Sequence, residues 1–193
     1  MGNCHKVAQI ICEQEGLEVV GLQVVGRVLG GRCRQTQEHR PFVLLGEIRI
    51  LLGRGEIAVA KGDYSQALKF AEDSLGISEK AGAKKFIAKG LKLKAEVLAK
   101  MDNIEEAIDL MEKALKLAQK VGNPPLLWQT HHSMGLLLEK HGDPQRANEN
   151  HTQAITLIEA TASKLKDPSL RNTLLIAPQT SMIRDAYSRT KTS

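Results

Sequence analysis

The stretch NIEEAIDLMEKALKLAQKVG, residues 103–122, decides the fold, because its pattern recurs 40 residues before and 40 residues after. Within it Ala107, Met111, Ala114 and Leu115 fall at i, i+4, i+7 and i+8, which is one face of an α-helix. The earlier copy of that face is Ala67, Ala71, Ser74 and Leu75, and the later one carries Ala147 and Ile155. Twelve positions before each alanine stands another small residue: Gly55, Ala95 and Gly135. A small residue, a turn, a second small residue and an aliphatic anchor make one helical hairpin. Stacked copies of it make a solenoid.

The turns carry the chemistry that such a hairpin needs. Gly62 stops one helix, and Asp63 is an N-cap with Gln66 three residues on. Asn103 with Glu106 reads as a capping box at the same offset. Gly142-Asp143-Pro144 places proline where the first helical turn lacks intrahelical N–H partners anyway. Gly82 and Gly122, again 40 apart, stand where second helices should end, and Pro124 and Pro125 forbid continuation. Short side chains at the two recurring small sites let the paired helices approach closely.

This arrangement resembles the tetratricopeptide repeat, whose first helix carries a small residue followed twelve positions later by an alanine of the second. The usual period of that family is about 34 residues. The longer period here is similar to that of kinesin light chain and related scaffolds. HEAT and armadillo repeats lack this spacing across a Gly-Asp turn. Departures occur at the bulky position of the first helix, which is Leu51, Leu91 and His131. The aromatic position of the second helix becomes Ala71, Met111 and His151. The resemblance covers residues 43–165 and implies an all-α solenoid of antiparallel helical hairpins. Its expected repeats are 41–82, 83–122 and 123–165. Residues 166–193 would be a C-terminal cap and tail, in which Asp167-Pro168 breaks a helix and Pro178 starts a last one through Ile183, Ala186 and Tyr187. The run DPSLRNTLLIAP, residues 167–178, is similar to the tail that closes repeat regions of microbial signalling ATPases, cyclases and transcription activators. That similarity implies that relatives often sit at the C-terminal end of a larger protein.

Residues 1–40 read differently. They hold all three cysteines and six of the sixteen glycines. Leu17, Val20, Val24 and Val28 suit a helix face, although the Val-Val pairs suit a strand equally. The expectation is a degenerate helical hairpin or partial disorder. The Met-Gly-Asn-Cys start lacks the Ser or Thr of an acylation signal, having Lys6 at that position, so an ordinary N-terminus is expected. Cys4, His5 and Cys12 do not have the paired spacing of a zinc site. The odd cysteine count argues against a disulfide framework and for a reducing, cytoplasmic setting.

Composition bounds the rest. Apolar residues make up 42% of the chain and aromatics 3%, so a core of Leu, Ile, Val and Ala is expected. No stretch approaches the roughly 18 apolar residues of a membrane span. Net charge is +5, and residues 84–100 account for all of it: six lysines against Glu96. Other residues balance at 21 basic and 21 acidic. Nucleic acid would need a wider basic field and stacking aromatics, and Phe86 is the one aromatic near these lysines.

No catalytic constellation is present. Gly53-Arg54-Gly55 is a fragment of a phosphate loop inside a helical pattern, without the closing Lys-Ser/Thr. His131, His132, His141 and His151 cluster in the third repeat, but adjacent helical residues point about 100° apart and suit a metal poorly. His151 is expected inside the hairpin. Neither a metal nor a cofactor is expected, and the chain reads as a non-enzyme.

In the resembled family the first helix of each hairpin lines the concave face. That register implies exposed groove positions at Arg49, Leu52 and Glu56, then Lys85, Lys89, Lys92, Glu96 and Lys100, then Gln129, His132, Leu136 and Lys140. Lys85, Lys89, Lys92, Glu96 and Lys100 step by four, three, four and four, which is one helical stripe. Some relatives grip a terminal carboxylate with a Lys, Asn and Arg clamp. The matching positions here are Leu52 with Glu56, Leu93, and Gln129 with Ser133, so that clamp is absent. The expected function is protein–protein interaction with a peptide or protein segment, acidic if it meets the stripe, with self-association also open. The competing expectation is a regulatory or sensor segment of a signalling ATPase, cyclase or transcription regulator.

Overall fold

The computed structural model describes the backbone of residues 40–192 and the side chains of residues 44–189. The expectations for Cys4, His5, Cys12 and the Leu17–Val28 segment fall outside the described residues. Among the described residues eight helices follow one another: α1 (Arg40–Lys61), α2 (Tyr64–Lys80), α3 (Lys84–Lys100), α4 (Ile104–Val121), α5 (Pro124–His141), α6 (Pro144–Lys164), α7 (Pro168–Ile176) and α8 (Pro178–Thr192). Among the described residues there is no strand. The first six pair as hairpins, α1 with α2, α3 with α4 and α5 with α6, and each hairpin stacks on the next.

One backbone feature sets the period. Gly62, Gly82, Asp102, Gly122 and Gly142 stand 20 residues apart, and all have positive φ, between +62° and +87°. A left-handed residue follows each of the first five helices and turns the chain back, a role glycine fills without Cβ strain. The 40-residue repeat is therefore two helix-plus-turn units of equal length. Asp102, at φ +68°, is the exception in residue type.

The caps follow the sequence at Asp63, which accepts from the Gln66 N–H at 3.0 Å, and at Asp143, which accepts from the Arg146 N–H at 3.0 Å. Asn123 and Asp167 cap α5 and α7 in the same way. Asn103 departs from the expected capping box. Its side chain makes no cap bond; instead its Nδ2 donates to Glu106 Oε2 at 2.7 Å.

Packing explains the small residues. A Cβ at Gly55 would lie 2.6 Å from Leu93 Cδ2 of α3 and 3.6 Å from Phe70 Cβ of α2. The site is thus closed both by its own hairpin and by the next one. Ala95, Ala67, Ala107 and Ala147 are fully buried. Ile48, Leu52, Ala67, Ala71, Leu93 and Val97 form one cluster across α1, α2 and α3. Ala95, Leu98, Ala107, Met111, Met134, Leu138 and Ala147 form the next, from α3 through α6. Each cluster joins one hairpin to its successor, so a terminal hairpin leaves an apolar face uncovered.

The C-terminal helices cover that face. Ile183 and Ala186 of α8 are 2% and 1% exposed, and Ile183 packs with Trp128, Ala154 and Ile158. Thr180 fixes the entry to α8: its hydroxyl reaches Leu174 O at 2.6 Å and Ala177 O at 2.8 Å. Helix α8 packs on α6, and Gln179 at its start meets Gln129 of α5. It occupies the place that the first helix of another hairpin would take. No helix among the described residues is long and apolar enough to cross a membrane.

Candidate protein-binding face

Helices α1, α3 and α5 lie side by side, with α8 beyond α5. Side chains of the lysine stripe project from α3 onto this face. Lys89 is half-buried there. Burial pushes its ammonium below the ordinary lysine value. The charge of Lys85 adds to that, Glu56 opposes it, and Lys92 and Arg49 add further. The fold therefore brings Arg49 and Glu56 of α1 next to Lys85, Lys89 and Lys92 of α3.

The stripe is not uniformly free. Lys92 Nζ pairs with Glu96 Oε1 at 2.8 Å, and Ser133 Oγ donates to the same oxygen at 2.6 Å. Glu96 is thus held between α3 and α5. Lys140 Nζ reaches Asp102 Oδ1 at 2.7 Å and the Ala99 carbonyl at 2.7 Å. It ties the end of α5 to the α3–α4 turn, beside the one left-handed residue that is not glycine. Lys94 leaves the face altogether and pairs with Glu72 of α2 at 2.8 Å. Among the described residues Arg49, Lys85, Lys89 and Lys100 form no ion pair.

Leu52 corrects the expected groove set. It was expected to be exposed, but it is 7% exposed and packs in the first core cluster with Ile48 and Leu93. Helix α1 touches both α2 and α3, so its buried sector is wide enough to take in position 52. Leu136, by contrast, is 41% exposed, as expected for the face. Gln129 is partly covered and donates its amide to Gln179 Oε1 at 3.0 Å.

The third repeat adds a buried polar chain. His151 is fully buried, inside the hairpin as expected. Its Nε2 lies 3.0 Å from Glu139 Oε1, and its Nδ1 lies 3.4 Å from His132 Nδ1. The partners assign the protons: His151 donates from Nε2 to the carboxylate and accepts at Nδ1 from His132. The two rings are 5.3 Å apart at 51°. His132 is pushed down to about 4, by burial first and then by the charges of His151 and Lys92. His151 is lowered by burial, against the opposing bond to Glu139. His131 is also lowered by burial, and its Nδ1 meets Asn150 Oδ1 at 3.0 Å. All three rings are held below the ordinary 6.5, so they add little charge near pH 7, and the charge acting here is that of Lys92, Glu96, Glu139 and Arg189. The ring nitrogens bond to each other and to Glu139 and Asn150 rather than converging on a point.

Sequence reasoning missed Ser133 and Glu139 as partners on this face. Ser133 was legible only as a missing clamp position. The signal for His151 was present: the bulkiest second-helix residue stands opposite Gly135, where a first-helix side chain would otherwise be.

Comparison with known proteins agrees with this geometry. Residues 86–160 match the tetratricopeptide-repeat family model. The chain is 26% identical over 165 residues to the transcription activator GutR of Bacillus subtilis, covering 79% of this chain. It spans 20% of that relative's length. A TPR-like protein of Chlorobium tepidum superposes with a TM-score of 0.55 at 17% identity, over 79% of this chain and 99% of its own. BtubC (BKLC) of P. vanneervenii superposes with a TM-score of 0.57 at 18% identity, over 98% of this chain and 72% of its own. The stacked hairpins, the recurring small residues and this match make residues 86–160 similar to the tetratricopeptide repeat.

Proposed function

We propose that this chain is a non-catalytic interaction module that holds a segment of a partner protein along the face of α1, α3 and α5, in a cytoplasmic setting. The observation that carries the reading is the group of cations Arg49, Lys85 and Lys89, which form no ion pair among the described residues, whereas Lys92 and Lys140 of the same face are paired. Tetratricopeptide folds generally serve as scaffolds for protein–protein contact. Exposed like charges gathered from two helices favour an acidic segment, and they steer its approach more than they tighten its grip. The site set under this proposal is Arg49, Glu56, Lys85, Lys89, Lys92, Glu96, Lys100, Gln129, His132, Leu136 and Lys140. The repeat units 41–82, 83–122 and 123–165, with the cap 166–193, are its parts.

The test starts with affinity capture by the wild-type chain and by Lys85→Glu/Lys89→Glu. Peptides from a captured protein are then titrated at low and high salt. Binding that falls with salt, as the Debye length shrinks to ~8 Å at physiological ionic strength, and with the charge reversal, supports the reading. A partner that binds both proteins equally at every salt places recognition elsewhere.

A second reading has its own support, the similarity to a transcription activator of which this chain spans a fifth. In that reading the module is the regulatory segment of a larger signalling protein, and occupation of the face controls another domain. A regulatory or effector domain encoded in or next to the same reading frame would favour it.

A further inference from the structure

Resting on the reading of this face as a peptide site, we infer that the site has a direction: it takes the Asp- or Glu-rich end of a segment at Arg49, Lys85 and Lys89, and an uncharged stretch of the same segment beside Gln129 and Leu136.

The sequence offers a single stripe of lysines, continued by Lys140. The fold divides it. Lys92 is neutralised by Glu96, which Ser133 also holds. Lys140 is committed to Asp102 and to a helix-terminal carbonyl. What is left free in the first half of the face is Arg49, Lys85 and Lys89 against Glu56, three cations and one anion. They come from two helices, so they are a patch and not a line. Lys89 sits half-buried among like charges, and burial first, then the charge of Lys85 and those of Lys92 and Arg49, lowers its pKa. A ligand carboxylate placed there offsets the like-charge part of that shift.

The second half offers nothing comparable to an anion. Gln129 is bonded to Gln179, and His132 is neutral at pH 7 because its pKa lies at about 4. Leu136 presents an exposed aliphatic side chain. The cations nearest that half, Lys92 and Arg189, are already engaged, Lys92 with Glu96 and Arg189 with a partner of its own. A carboxylate there would therefore lose water for little gain, while an uncharged stretch loses less and can cover Leu136. Charge complementarity thus selects a protein segment with acidic and neutral parts.

The probes are a blocked tetraglutamate and a longer peptide with the same acidic block, a neutral Ser/Leu stretch and a spin label at the neutral end. Titrated into the ¹⁵N-labelled protein, tetraglutamate should shift amides around residues 49 and 85–89. Arg49→Gln and Lys89→Gln should each weaken it about two- to fivefold, the range of an exposed ion pair. Lys140→Gln should leave it unchanged. The spin label should broaden amides around Gln129 and Leu136. Shifts spread evenly to Lys100 and Lys140, broadening centred on α1, or stronger competition by a single-stranded oligonucleotide each overturn the inference. A natural partner that ignores Arg49→Gln/Lys89→Gln but is lost with Leu136→Glu overturns the direction and leaves the face standing. A partner that ignores all these changes removes the face as well.

Discussion

The ring of His151 occupies the space that Gly135 leaves open: a Cβ on Gly135 would lie 2.6 Å from His151 Nε2 and 2.7 Å from its Nδ1. Neither residue can be understood alone. Glycine at 135 lets a fully buried imidazole fill the third hairpin, and the imidazole carries hydrogen bonds from the core to the face.

Gly135→Ala should therefore destabilise the protein by about 1–3 kcal/mol, the usual cost of overpacking, despite alanine's better helix propensity. Gly76→Ala is the control. Nothing lies within 4 Å of a Cβ there, so it should stabilise by roughly 0.5–1 kcal/mol. Urea unfolding of the two variants should move the midpoint in opposite directions.

Ala107→Leu should be destabilising as well. Ala107 is fully buried in the cluster that joins the second hairpin to the third, so added methylenes have nowhere to go. The expected cost is about 1–3 kcal/mol. An unchanged urea midpoint would contradict the packing of α3 and α5 around α4.

Stability should fall in mild acid. His132, His151 and His131 have folded pKa values below the ordinary 6.5, His132 at about 4. Lowered folded values mean that the unfolded chain binds protons first as pH falls. Their contribution is fully present above pH 6.5 and is lost as pH falls below it, for His132 down to about 4. His132→Gln should flatten the pH dependence of the urea midpoint across that window. A wild-type slope retained in full by the variant would count against the assignment.

Ile183→Ala should loosen the cap. Trp128 is the chain's one tryptophan, is 5% exposed, and packs with Ile183, so its emission reports on α8. The variant should lose about 2–5 kcal/mol, and its fluorescence should shift to the red before global unfolding. Red-shifted emission in the wild type would show that α8 does not cover this ring.

Asp102→Gly tests the turn rule. Glycine removes the Cβ strain of the left-handed conformation but also removes the acceptor of Lys140. The carboxylate is exposed, where an ion pair contributes little, so the variant should unfold at a higher urea concentration. A lower midpoint would give the Lys140 bridge the larger share.

The sequence by itself determined the repeat. Its evidence was local: an alternation of helix faces, turn residues and caps, each set by a few neighbouring residues. Gly62, Gly82, Gly122 and Gly142 read as turns from their place between helical stretches, because left-handed backbone favours residues without a Cβ. The burial of Ala67, Ala107 and Ala147 followed from their place on the apolar face. The end cap through Ile183 and Ala186 was legible for the same reason. Tertiary structure decided the binding face. Whether a lysine is free depends on which acid arrives from another helix, and no spacing rule states that Ser133 meets Glu96 from 37 residues away or that Lys140 reaches Asp102 from 38. Leu52 turned inward because α1 contacts two helices at once. Local propensity is written in neighbours, whereas charge pairing and burial are properties of chain segments that only folding brings together.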